Sequence, residues 1–259
     1  MKFLNRLLAV VLIAGVAAAA GFIGLAPSYT VPVVMYHQVK DVAQPGADTV
    51  SPANLRRQWE FLRDNGFQVI GTGALVKAIE DGQRLPFKSV VITFDDGYVE
   101  GYTEVLPLIR EFGFPVTMFI SPEFFDRDGY LSREQIAALR DAGVTLGSHG
   151  MTQAYLPDLD EQGLKYEIVT SKDQLELFLN RPVNVLAYPV GGFNEPIKEL
   201  LQSAGYRAGF ATNRGNDRFN RDRYEINRIR LSNRDDSDVI LWAKLSGYYN
   251  FFRKLKAPN

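Results

Sequence analysis

The eight residues Val90–Gly97, with the sequence VVITFDDG, decide the fold of this chain. Their first half is apolar and β-branched with little polar alternation, which is typical of a central strand covered on both faces. Asp95 and Asp96 follow side by side, and Gly97 permits a sharp turn. Two neighbouring carboxylates in a partly desolvated place repel each other unless a cation or a proton lies between them. The stretch therefore indicates either a cation site at a strand end or an aspartate that caps the next helix.

Strands and helices alternate on both sides of this stretch, and no clear linker interrupts them. The pattern predicts strands over residues 31–36, 67–70, 90–94, 115–120, 144–147, 183–188, 208–211 and 226–231. It predicts helices over residues 52–65, 74–80, 99–112, 133–142, 163–179, 195–204 and 237–245, with Ser51 and Ser132 as caps. Such alternation predicts a mostly parallel sheet, in a barrel or an open doubly wound fold. No GxGxxG follows the first strand, which disfavours a dinucleotide-binding fold.

Polar side chains collect at the predicted strand ends. In both architectures the chemistry lies at the C-terminal ends of the strands. His37, the Asp95–Asp96 pair, His149 and the segment after Pro189 all fall there. The chain has two histidines and no cysteine, so disulfides, thiolate zinc sites and a cysteine nucleophile are excluded. This gathering at one rim favours a functional site over a helix cap.

The first residues have the pattern of a targeting segment. Lys2 and Arg6 precede an apolar stretch over residues 7–26, which is typical of a signal peptide or an uncleaved membrane anchor. About 20 residues suffice to span a bilayer core of ~30 Å. We expect residues 1–27 to be this segment, with an anchor favoured because the apolar run continues past Ala18–Ala20. Residues 28–259 are then the catalytic domain, and the basic flank places them outside the cytoplasm.

The overall charge argues against one class of partner. The formal net charge is −1, so there is no general electrostatic reason to expect nucleic-acid binding. No GxSxG motif is present, which disfavours a serine hydrolase.

Four segments carry a resemblance to a known family. TFDDG at 93–97, SHGMTQ at 148–153 and AYPVGGFN at 187–194 resemble, in this order, the three motifs of the polysaccharide deacetylases, the NodB-homology family of carbohydrate esterases. VMYHQV at 34–39 resembles the branch that acts on exported β-1,6-linked poly-N-acetylglucosamine. The resemblance implies a distorted (β/α) barrel of about seven strands. It also implies metal-dependent N-deacetylation of an N-acetylhexosamine polysaccharide outside the cytoplasm, with zinc or another transition metal.

The same resemblance assigns roles to individual residues. It implies that Asp95 is the catalytic base and that Asp96 and His149 bind the metal. His37 matches the branch's general acid, and the backbone N–H of Val190 matches the donor to the oxyanion. The chemistry is consistent, since a metal activates water and a free carboxylate beside it accepts the proton.

Gln153 departs from the family pattern. It stands four residues after His149, where the family has a second histidine ligand. An amide oxygen binds zinc-like metals more weakly than imidazole does. Gln153 is therefore either the third ligand of a weaker site or a loop residue that hydrogen-bonds to backbone. In the second case the site recruits another oxygen ligand, for which Asp158 is a candidate, or it is empty and the chain is a non-catalytic carbohydrate-binding relative with a decayed metal site.

Further residues are predicted to bind the substrate. Arg228 and Arg230 lie on the same side of the last predicted strand, since alternate strand residues share a face. Either one of them pairs with Asp95, or they are exposed to solvent. Poly-N-acetylglucosamine, peptidoglycan and chitin-like chains all remain open as the polymer. The predicted substrate-binding residues are Tyr188, Pro189, Asn213, Arg228 and Arg230.

Overall fold

The computed structural model describes residues 28–43, 46–212 and 214–258. The predicted targeting segment at residues 1–27 and the predicted site residue Asn213 lie outside this part. Across the described ranges, no helix is both long enough and apolar enough to cross a membrane.

A parallel sheet forms the centre of the fold. Seven strands follow the order β10-β1-β5-β6-β7-β8-β9, β4 pairs with the start of β5, and β2 pairs with β3 separately. A parallel bridge between Phe210 and Ile226 brings the chain before β10 against β9, so the sheet curls on itself. The prediction of a distorted barrel of about seven strands is confirmed. The strands are β1 (Val33–Tyr36), β2 (Gln38–Val39), β3 (Thr49–Val50), β4 (Gln68–Val69), β5 (Ser89–Phe94), β6 (Val116–Ile120), β7 (Thr145–Ser148), β8 (Val185–Ala187), β9 (Ala208–Phe210) and β10 (Ile229–Arg230).

Helices connect the strands and cover the sheet. As predicted, Ser51 caps the first helix by accepting from the Asn54 N–H, and Ser132 forms a capping box with Gln135. The helices are α1 (Pro52–Asp64), α2 (Thr72–Glu80), α3 (Leu106–Phe112), α4 (Arg133–Asp141), α5 (Glu161–Lys165), α6 (Ser171–Leu179), α7 (Glu195–Ser203), α8 (Asp238–Leu245) and α9 (Tyr249–Phe252).

Several predicted elements differ from the structure. The helix expected over residues 99–112 starts as a π-helical turn, Gly101–Val105, and is α-helical only in α3. The helix expected over residues 163–179 is divided into α5 and α6 by a π-helical turn, Tyr166–Thr170. The strand expected over residues 226–231 forms a regular ladder only at Ile229–Arg230, because the preceding residues bridge to β9 instead.

Alternation along β5 places the first aspartate inside the barrel. Val91 belongs to the inner apolar cluster, whereas Ile92 belongs to the layer between sheet and helices. Thr93 and Asp95 share the side of Val91, since successive side chains point to opposite faces. Asp95 therefore lies at the C-terminal mouth of the barrel. The opposite end is closed by α2, whose Leu75 packs into the inner cluster.

Candidate active site

Asp95 and Arg228 form a fully buried ion pair at the mouth. Arg228 Nη1 and Nη2 donate to the two oxygens of Asp95 over 2.6 and 2.7 Å. The guanidinium is fixed further by Nε, which donates to the Ala211 carbonyl over 2.8 Å, and by Nη1, which donates to Thr93 over 3.2 Å. Fork-to-fork pairing of this kind fixes both orientation and charge.

The ion pair keeps Asp95 ionised. Burial alone would raise the pKa of Asp95, but the Arg228 guanidinium, with smaller shares from His149 and His37, lowers it from 3.8 to about 2. A buried carboxylate normally resists ionisation. Here a carboxylate that stays charged at neutral pH is available to accept a proton.

Asp96 turns away from Asp95 and meets His149. Asp96 has a φ of 71°, in the left-handed region, so the two adjacent carboxylates diverge. Its Oδ1 lies 3.3 Å from His149 Nε2. Backbone of this kind in a non-glycine residue costs free energy and is concentrated at functional sites.

His149 is oriented by the end of β8. Its Nδ1–H donates to the Ala187 carbonyl over 2.8 Å, so Nε2 is the nitrogen that faces Asp96. Burial would lower the pKa of His149, but the hydrogen bond to Asp96, with the nearby Asp95, raises it. A ring whose second nitrogen is held by a carbonyl is the usual arrangement of a histidine metal ligand.

Gln153 lies beside this pair. Its Nε2 donates to the Asp96 carbonyl over 3.2 Å, and its own φ is 62°. Within the described residues, no three histidine, aspartate or glutamate side chains cluster as a metal site. Asp96 and His149 thus supply two ligands of the kinds that transition metals take, and Gln153 is the adjacent amide. An aspartate, a histidine and an amide oxygen are chemically suited to a divalent ion.

Glu167 anchors the loop that carries Gln153, and the sequence analysis missed it. This carboxylate is 2% exposed and accepts from Met151 N over 2.8 Å and from Thr152 N over 3.1 Å. It also accepts from Thr152 Oγ1 over 2.5 Å. The residue stands in the π-helical turn, a feature frequent at functional sites. Glutamate is common among the polar residues of helices, so the sequence gives no signal that Glu167 has this role.

His37 directly follows β1 and lies close enough to Asp95 and Asp96 for their charges to affect its pKa. Burial lowers the pKa of His37, although Asp95 and Asp96 act in the opposite direction. Its Nδ1 is buried without a hydrogen-bond partner among the described residues, and Asp48 Oδ1 lies 3.9 Å from it. Asp48 itself pairs with Arg230 Nη1 over 2.5 Å. Asp48, on the segment before β3, is a second residue that the sequence analysis missed.

The third motif forms a strained turn after β8. Val190 has a φ of 56° and a ψ of 2°, and its side chain is 65% exposed. The neighbouring Pro189 is buried and begins the turn, two residues beyond Ala187, the β8 residue whose carbonyl holds His149. A β-branched residue in this conformation is a marked outlier, which points to a backbone that is held for function.

The residues predicted to bind substrate differ in how far they are buried. Tyr188 is 0% exposed and donates to the Tyr224 carbonyl, and Arg228 is 1% exposed. Neither presents a face to a polymer, so both position other groups. Of the two alternatives for the arginines, pairing with Asp95 is confirmed for Arg228. Arg230, with a side chain 39% exposed, lies at the mouth near Asp48.

Comparison with known proteins identifies the family. A sequence profile described as polysaccharide deacetylase matches residues 82–209. A poly-beta-1,6-N-acetyl-D-glucosamine N-deacetylase of Escherichia coli K12 is 30% identical over 139 residues, which cover 47% of this chain and 21% of that protein. The protein of the same name from Staphylococcus epidermidis is 25% identical over 202 residues, 71% of this chain and 68% of that protein.

A solved structure shows the same fold. The Streptococcus pyogenes deacetylase PplD in complex with acetate has a TM-score of 0.75 at 23% identity, over 83% of this chain and 97% of that chain. The chain thus contains a polysaccharide deacetylase domain with NodB homology, of the carbohydrate esterase 4 type. It is therefore a hydrolase of the class that acts on carbon–nitrogen bonds other than peptide bonds.

Proposed function

We propose that this chain is a metal-dependent N-deacetylase of β-1,6-linked poly-N-acetylglucosamine or a closely similar polymer. One observation carries the proposal: a buried carboxylate, Asp95, held ionised by Arg228, stands next to the Asp96–His149 pair. The names of the relatives from E. coli and S. epidermidis support the choice of polymer.

The proposed roles follow from the geometry of each residue. Asp96, His149 and Gln153 would hold a divalent ion, which supplies a water of lowered pKa and polarises the acetamide carbonyl. Asp95, whose carboxylate is ionised at neutral pH, accepts the proton of the attacking water. The Val190 backbone N–H donates to the oxyanion of the tetrahedral intermediate.

His37 completes the reaction as the acid. It donates a proton to the amine nitrogen as the carbon–nitrogen bond breaks, so that water and the acetamide become acetate and a free amine. Arg230, at the mouth, is the proposed substrate contact, whereas the buried Pro189 positions the turn that carries Val190. Asn213 is proposed with Arg230 from the sequence alone.

The proposed location rests on the first residues of the chain. Residues 1–27 serve as a membrane anchor or signal peptide, and the catalytic domain from residue 28 onward works outside the cytoplasm. An extracytoplasmic enzyme meets an exported polymer directly.

Linkage preference tests the substrate. Acetate release is measured from N-acetylglucosamine oligomers of equal length linked β-1,6 or β-1,4, and from peptidoglycan fragments. We expect the β-1,6 oligomers to be hydrolysed fastest by kcat/KM. Faster release from β-1,4 chains or from peptidoglycan would overturn the proposed polymer and leave the deacetylase class in place.

A further inference from the structure

A cavity opens at the end of the barrel opposite the active site. It has a volume of about 570 Å³ and is lined largely by apolar side chains, among them Leu75 of α2 and Tyr29. Because α2 closes the barrel end away from Asp95, this cavity is remote from the mouth. The proposed deacetylation uses none of its residues.

Exposed aromatic side chains continue from the cavity across this end. Phe87 is 59% exposed and stacks on Tyr29 with ring centroids 5.1 Å apart. Phe252 is 75% exposed and packs edge-on against Phe251. Phe251 in turn stacks on Phe219, a cavity residue. Clustered exposed aromatics of this kind mark an interaction surface.

Cationic side chains border the same aromatics. Arg84 and Arg221 are exposed and line the cavity. Lys88 Nζ lies 5.2 Å from the ring of Trp242, which is 41% exposed. Aromatic rings together with lysine and arginine are the composition of surfaces that lie in a membrane interface.

The N-terminal sequence indicates what covers this end of the barrel. The apolar stretch of residues 7–26 ends three residues before Tyr29, and three residues span at most ~11 Å. An anchor in the bilayer would therefore hold Tyr29, and the aromatics around it, at the lipid headgroups. The cations match the negative charge of anionic lipids.

We propose that this end of the barrel, the basal surface of Arg84, Phe87, Lys88, Arg221 and Phe252, rests on the bilayer. The active-site mouth then points away from the membrane, toward polymer outside the cell. The inference rests on the proposed anchor and location, and it is independent of the deacetylase chemistry.

Site-specific labelling tests the contact, because the chain has no cysteine. Single variants Phe87→Cys and Phe252→Cys of the full chain are labelled with an environment-sensitive fluorophore. The matched control is Glu161→Cys, at the start of α5 after the His149 loop, where the side chain is 83% exposed. Each protein is reconstituted into phosphatidylcholine–phosphatidylglycerol vesicles with and without spin-labelled lipid.

We expect spin-labelled lipid to quench the labels at 87 and 252 by more than half and to leave the label at 161 almost unchanged. The double variant Arg84→Glu with Arg221→Glu should reduce the quenching at 87 on anionic vesicles. Equal quenching at all three positions, or none, would overturn the proposal. Shielding of the 87 label from aqueous quencher without lipid quenching would mean that a second protein copy covers the surface, and it would also overturn the proposal.

Flotation with vesicles distinguishes failure of the proposed anchor from failure of the proposed deacetylase activity. A full chain that does not float with vesicles refutes the anchor and with it this orientation. Acetate release from the same preparation reports on the deacetylase proposal independently.

Discussion

Arg228 holds both oxygens of Asp95, over 2.6 and 2.7 Å, in a buried ion pair at the mouth of the barrel. The two residues are 133 positions apart, and Arg228 directly precedes β10 whereas Asp95 directly follows β5. Breaking a buried ion pair leaves an uncompensated charge, so the pair connects barrel stability with the state of the proposed base.

Removing the arginine tests this connection. In Arg228→Gln the pKa of Asp95 rises, because burial is no longer opposed by the guanidinium. We expect the acidic limb of kcat/KM to move to higher pH and the free energy of unfolding to fall by ~3–5 kcal/mol. Arg230→Gln, two residues further along the chain and at the mouth, is the control and leaves the acidic limb in place. An unchanged acidic limb in Arg228→Gln would contradict the assignment of Asp95 as base.

The same pair predicts how stability depends on pH. The pKa of Asp95 is lower in the folded chain, about 2 against 3.8, so its stabilisation is complete above the unfolded value and is lost as the pH falls toward 2. This difference corresponds to ~2 kcal/mol. Urea unfolding between pH 6 and pH 2 is the measurement, with the double variant Asp95→Asn, Arg228→Gln for comparison. The double variant should show the shallower loss, and parallel curves would refute the stabilising role of the pair.

The pKa of His37 should shift in opposite directions when Asp48 and Arg230 are removed. Asp48 raises and Arg230 lowers the pKa of His37, whose main influence is burial. A general acid must carry its proton, so the alkaline limb of the pH–rate profile follows this pKa. Asp48→Asn should move the alkaline limb to lower pH, and Arg230→Gln should move it to higher pH. Shifts of the same sign in both variants would show that another group is the acid.

Glu167 should control metal affinity without touching the metal. Glu167→Gln weakens the hydrogen bonds that hold Met151 and Thr152, and thus the loop that carries Gln153. We expect the metal concentration for half-maximal activity to rise ~10-fold or more, with activity recovered in excess metal. Thr152→Val removes one of these bonds and should have a smaller effect. A variant with normal metal affinity but reduced kcat would point instead to a role in the chemical step.

The sequence was sufficient to predict those elements in which the local residue pattern and the chemistry of the residues agree. The apolar run before Asp95 predicted a central strand, and the caps at Ser51 and Ser132 were found as expected. The order of the motifs predicted the curled parallel sheet. The positions of Asp96 and His149 at the ends of parallel strands predicted that they lie on the same rim.

The sequence could not reveal contacts set by the fold as a whole. Whether Asp95 pairs with Arg228 or with Arg230 depends on the register of β10. The sequence does not reveal this register, because loop residues and an isolated bridge surround the short strand. Glu167 acts through a π-helical turn that helix periodicity does not encode. Tyr188 belongs to a rim motif, yet its ring is buried because its hydroxyl reaches the Tyr224 carbonyl.

Acetate release from metal-stripped protein tests the central claim most directly. Zinc, cobalt, nickel or manganese is added back singly with a β-1,6-linked N-acetylglucosamine oligomer, for the native chain, Asp95→Asn and Gln153→His. We predict metal-dependent release by the native chain, saturation at lower zinc in Gln153→His, and no release by Asp95→Asn that remains folded by circular dichroism. A folded native chain that binds the oligomer but releases no acetate with any metal would contradict the account.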